Sequence, residues 1–77
     1  MSALIDRSEK SRFEWVEDGF VAFADYRLEG AVLVIPHVEA APELRGTGAA
    51  GRLLRAVMER AREEAWKVRP LCGYAAA

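Results

Sequence analysis

The sequence predicts an α+β fold: a meander of antiparallel strands, then one long helix and a final short strand. Three observations carry this. The first half of the chain alternates apolar and polar residues with period two, punctuated by Asp-Gly and Glu-Gly turn signals. After "ELRGTGAAG" the apolar period becomes helical. Pro70 then excludes further helix. Strands in a run followed by a helix read as α+β, and the 77 residues show neither internal repeat nor linker, so a single domain over 1–77 is expected.

Residues 1–11, "MSALIDRSEKS", offer only Leu4 and Ile5 for burial; the segment is expected to form a short edge strand or to fray. In "RFEWVE" Phe13 and Trp15 alternate with polar residues, a half-buried strand. Asp18-Gly19 follows as a two-residue hairpin signal, because both central positions of a type I′ turn need positive φ. "FVAFADYRL" sets Phe20, Ala22, Ala24, Tyr26 and Leu28 on one face and Val21 and Phe23 on the other; Trp15, Phe20 and Phe23 are expected in the core. Glu29-Gly30 marks a second turn. "AVLVI", Ala31 to Ile35, is apolar throughout, as in a central strand buried on both faces. Leu53, Leu54, Val57, Met58, Ala61 and Ala65 recur at three- and four-residue spacing, one apolar helix stripe. A last short strand is expected through Leu71 to Tyr74, with Trp66 against the sheet edge.

Composition narrows the function. Eleven basic and twelve acidic residues give a net charge of −1, which argues against a nucleic-acid partner. No apolar run reaches the roughly 20 residues of a membrane helix, and no basic-then-apolar leader opens the chain. With Cys72 as the one cysteine, no disulfide forms within the chain. A soluble, cytoplasmic protein is therefore expected. A domain this small buries only roughly 60 % of its unfolded surface, so a ligand or a second copy would stabilise it; monomer and homodimer both remain open.

The glycines of "RGTGAAG" are costly, at roughly 0.5–1 kcal/mol each relative to alanine inside a helix. They make sense where a polyanion lands. A helix N-terminus presents unpaired N–H groups and partial positive charge, and glycine lets a phosphate approach that backbone. Arg45 adds a cation. A plain strand-to-helix turn explains the glycines equally well. A P-loop is excluded, since no Gly-Lys-Ser/Thr follows. "GTGAAG" matches Gly-x-Gly-x-x-Gly, but the hairpin-linked strands before it do not supply a dinucleotide fold.

"RGTGAA", Arg45 to Ala50, fits the Arg/Gln-x-x-Gly-x-Gly/Ala pattern of the GNAT acetyltransferase superfamily. More narrowly, the chain resembles the small single-domain GNAT-like family. Members of that family carry a strand ending in His, then Thr-Glu-Val-Pro, a Gly-x-Gly helix start, and a Pro-x-Cys-x-Tyr/Phe strand. "IPHVEAAPELRGTGAAGRLL" and "VRPLCGY" follow that order, and the likeness runs from about Phe13 to Tyr74. Val38 stands where the family often has Thr, and Ala40 and Ala41 replace Val and Pro.

The resemblance implies acetyl-coenzyme A as substrate and direct attack of an amine on the thioester. It implies a pyrophosphate held by the backbone of Gly46, Thr47, Gly48, Ala49, Ala50 and Gly51, with charge from Arg45 and Arg52. The pantetheine arm would lie along Val38, Glu39 and Ala40, where a backbone N–H could polarise the thioester carbonyl. The base would be Glu39 or His37, imidazole being the side chain that changes charge near neutrality. The two flank Val38 and so share a face: a pair if that face is the cleft, solvated if it is not. Cys72 reads as a small buried hydrophobe, as a transient acetyl carrier or as a thiol that pairs oxidatively with the coenzyme. Tyr74 reads as the acid that protonates the leaving thiolate, or as packing. The acceptor amine, small molecule or peptide, is not legible. A coenzyme-A-binding module with little turnover and an interaction domain that has lost the ligand are the other functions considered.

Overall fold

The computed structural model describes residues 4–71. Its elements in chain order are β1 (Leu4–Arg7), β2 (Arg12–Glu17), β3 (Phe20–Glu29), β4 (Val32–Ala40), α1 (Ala49–Glu63) and β5 (Lys67–Pro70). They form one five-stranded sheet in the order β1-β2-β3-β4-β5. The first four strands are antiparallel neighbours, whereas β5 returns after α1 to pair parallel with β4. The sheet is therefore mixed, and β4–α1–β5 is one parallel crossover unit, which a reading of the hairpins alone does not foresee.

Local chemistry explains the turns. Asp18 and Gly19 both hold positive φ, 52° and 79°, as a type I′ hairpin requires. The helix ends with Ala65 in the left-handed region at φ 59°, while Trp66 N–H donates to Ala61 O at 2.8 Å. Ala65 thus follows the C-cap Glu64 as the left-handed residue that ends the helix, and is not part of the apolar stripe.

One face of the sheet packs against α1. Phe13, Leu33, Ile35, Leu53 and Val57 are fully buried between them, and Trp66 and Val68 pack on this core at partial exposure. Phe13 stacks on Tyr26 with ring centroids 4.5 Å apart. The Tyr26 hydroxyl donates to Asp6 Oδ1 at 2.7 Å and so ties β3 to the edge strand.

Three sequence expectations differ from this arrangement. Phe20 remains 38 % exposed, because it opens β3 at the hairpin end, opposite Glu17. Phe23 lies on the face away from α1, where the Arg12 guanidinium carbon stands 4.1 Å from its ring centroid. The final strand is Lys67–Pro70, earlier than the Leu71 to Tyr74 stretch, of which Cys72 to Tyr74 lie outside the described residues.

Strand β4 carries an irregularity that shapes the site. Two residue steps of β3, Asp25 to Arg27, span three of β4, Val34 to His37. The extra residue falls beside Pro36, which has no N–H to give a ladder and is confined to edges and bulges. The bulge inverts the alternation of faces: Leu33 and Ile35 point to the core before it, Val38 and Ala40 after it.

Candidate functional site: the mouth of the helix and the open edge of β4

After Ala40 a 3-10 turn, Pro42–Leu44, drives Leu44 into the core. Thr47 Oγ1 donates to Leu44 O at 2.6 Å and accepts from Ala49 N–H at 3.3 Å. Gly48 is the N-cap of α1 at φ 85°, and it supplies no side-chain cap. Among the described residues, the N–H groups of Gly46, Gly48, Ala50 and Gly51 donate to nothing. The first turn of α1 holds no acidic residue. Above these amides opens a cavity of 280 Å³ lined by Ala40, Leu44, Arg45, Gly46 and Gly48 to Gly51. Unpaired donors, the positive end of a helix dipole and an exposed arginine give this mouth the chemistry that favours an anion.

The cavity adjoins a stretch of strand edge that none of the described residues pairs. Strand β5 pairs with β4 only as far as Ile35 opposite Pro70, and Leu71 N–H donates to Ile35 O at 2.9 Å. Farther along, Ala41 N–H donates to Val21 O at 3.0 Å. Antiparallel bonding alternates residue by residue, so His37 and Glu39 turn their backbone groups to β3. Val38 and Ala40 turn theirs to the other edge, where the described residues offer no partner.

His37 and Glu39 come together. His37 Nε2 lies 3.1 Å from Glu39 Oε1, and their side chains are 51 % and 53 % exposed. They stand on the sheet face opposite α1, beside Phe23, whose ring centroid is 6.1 Å from that of His37. On the same face Arg12 Nε reaches Asp25 Oδ1 at 3.5 Å but forms no hydrogen bond. The Val38 side chain is buried in the core, so only its backbone faces the edge. Cys72 and Tyr74 lie outside the described residues.

Glu17 is the site neighbour that sequence reasoning missed. Arg52 Nε donates to Glu17 Oε2 at 2.6 Å and Arg52 Nη2 to Glu17 Oε1 at 2.8 Å. Trp15 Nε1 also donates to Oε2 at 2.6 Å, and Arg52 Nη2 reaches Thr47 O at 3.1 Å. The end of β2 is thereby fastened to the glycine turn. A separation of 35 residues leaves no local pattern to reveal it. The hydrogen bond from Arg52, then that from Trp15, lowers the Glu17 carboxyl from 4.5 to about 2; the same bond raises Arg52.

A carboxyl with a depressed folded-state pKa contributes stability that is complete above its unfolded value and lost as pH falls through the folded one. For Glu17 that window runs from 4.5 down to about 2. The melting temperature of the wild type should therefore fall more steeply across this window than that of Glu17→Gln, as circular-dichroism melts at stepped pH would record. Parallel slopes would remove Glu17 from the acid limb.

Among the described residues no three His, Cys, Asp or Glu side chains gather to hold a metal. No described helix is long and apolar enough to cross a membrane. Compared with known families, residues 12–77 match the sequence model of one described as GCN5-related N-acetyl-transferase. That match begins with β2 and includes the whole glycine turn. No curated protein matches the chain.

Proposed function

We propose that this chain, which belongs to the GCN5-related N-acetyltransferase family, binds acetyl-coenzyme A and transfers its acetyl group to an amine. One observation carries the reading: the cavity over the free amides of α1 includes Ala40, the residue that ends β4 along the edge no described residue pairs. A ligand with an anionic middle and an extended amide-bearing arm fits both parts at once. The diphosphate lies on the N–H groups of Gly46, Gly48, Ala50 and Gly51, with Arg45 at the rim. The arm pairs as an added strand with Val38 and Ala40.

In the transfer, the amine nitrogen attacks the thioester carbonyl carbon. A C–N bond forms, the C–S bond breaks, and the thiolate leaves with the coenzyme. The Val38 N–H, turned to the open edge, stabilises charge on the carbonyl oxygen. The Glu39–His37 pair takes the proton that the attacking nitrogen must shed.

Gly51 gives a test with two readouts of opposite sign. It sits inside α1, and a Cβ added there meets nothing within 4 Å. Gly51→Ala should stabilise the fold by about 0.5–1 kcal/mol while it weakens coenzyme A binding, because the methyl enters the cavity that the phosphate needs. A melt and a binding titration on the same variant check both. Unchanged affinity would remove the ligand from that wall.

A second reading, a coenzyme-A-binding module without turnover, is favoured by the mutual hydrogen bond and half-exposure of His37 and Glu39. Acetyl-coenzyme A consumption that rises on addition of an amine supports the enzyme; binding with flat kinetics supports the module.

A further inference from the structure

The Arg52 guanidinium is held by three hydrogen bonds from two of its nitrogens. Glu17 takes Nε and Nη2 in a bidentate grip, and Thr47 O takes Nη2 from the turn. Trp15 fixes the carboxylate in its turn. The Glu17 side chain is 17 % exposed and that of Arg52 45 %, so the grip is anchored at its buried end and wet at the other. Nη1 is the nitrogen left over: among the described residues it makes no hydrogen bond, and it lies 3.1 Å from where a Gly48 Cβ would stand. Arg52 thus ends in two unpaired N–H donors against the residue that opens α1.

We propose that Glu17 is a positioning residue for the coenzyme: it fixes Arg52 so that Nη1 is a pre-oriented donor to the ligand diphosphate at the mouth of α1. This rests on the coenzyme-binding reading above. A free arginine would lose side-chain freedom on meeting a phosphate, and a pre-fixed one has already lost it. The bidentate geometry matters as much as the charge, since a lysine cannot reproduce it. Glycine at 48 leaves the room that Nη1 occupies.

The test is calorimetric titration of wild type, Glu17→Gln, Arg52→Ala and the double variant. Coenzyme A is one ligand, and acetyl-pantetheine, which lacks the diphosphate and the nucleotide, is the other. Arg52→Ala should weaken coenzyme A about tenfold, the loss of one charge-assisted hydrogen bond. Glu17→Gln should weaken it several-fold, yet add nothing in the Arg52→Ala background. Acetyl-pantetheine affinity should not move in any variant, although a merely structural staple would move both ligands together. Where Glu17→Gln fails to fold, Arg52→Lys takes its place: it keeps the charge, loses the bidentate grip and should still lose affinity for coenzyme A. Full affinity in Arg52→Ala, or an undiminished Glu17→Gln effect without Arg52, overturns the proposal. A wild type that binds acetyl-pantetheine but not coenzyme A also overturns it. A wild type that binds neither overturns the coenzyme reading itself, and the role of Glu17 falls with it.

Discussion

Gly48→Glu should abolish coenzyme A binding while the chain stays folded. A side chain at φ 85° is strained, by about 1–2 kcal/mol for a left-handed residue. That lowers the melting temperature of a domain this size by about 4–8 °C per kcal/mol. The steric cost beyond this falls on Arg52 alone: a new Cβ would stand 3.1 Å from Nη1, so the exposed guanidinium must shift a few tenths of an ångström within its Glu17 grip while the core is untouched. The carboxylate can even turn onto the free N–H groups of α1, where negative charge is favoured. There it would occupy the place of the phosphate and repel it. Gly30→Glu is the control: Gly30 also has positive φ, 61°, with open space around it, but it precedes β4, at the strand end remote from the glycine turn. It should pay the same strain and keep its affinity. Equal binding by Gly48→Glu and wild type would put the diphosphate elsewhere.

Phe13→Ala should have the largest effect on stability. Phe13 is fully buried and stacks on Tyr26, so its removal costs about 3–5 kcal/mol in lost burial and a residual cavity. A core in a chain this short rarely supplies more than about 3–5 kcal/mol in total. The variant should therefore lack a cooperative melt at 25 °C without ligand. Saturating coenzyme A returns about 2.7 kcal/mol at one hundred times its dissociation constant and should recover part of the folded signal. A Phe13→Ala melt within a few degrees of wild type would show that the core is not centred there.

What could be read from the sequence was local. The Asp18-Gly19 hairpin, the alternation of β2 and β3 and the stripe of α1 each follow from neighbours a few residues apart. The glycine turn was legible for the same reason, because its spacing sets a helix start and a backbone that a ligand can approach. The contribution of Pro36 was harder. Nothing local to Pro36 tells that it sits beside a bulge within a strand that continues to Ala40. That bulge decides which way Val38 and Ala40 face, and therefore where the open edge lies. Phe20 failed as a core residue because alternation gives a face but not a depth, and a hairpin end is shallow. Glu17 was invisible because its partner is reached only through the fold. The strand at Lys67 to Pro70 is too short and too charged to register without β4 beside it, and Cys72 to Tyr74 of the expected strand lie outside the described residues.

Thermal unfolding with coenzyme A, with acetyl-coenzyme A and with adenosine 3′,5′-bisphosphate tests the central claim most directly. Each would be added at a large excess to the intact chain. Both coenzymes should raise the midpoint by about 10–20 °C, as about 2.7 kcal/mol of linked binding does in a domain this small. The bisphosphate, without diphosphate or pantetheine arm, should raise it less. No shift with any of the three would contradict the account, leaving the glycines of α1 as an ordinary turn and the open edge of β4 without its ligand.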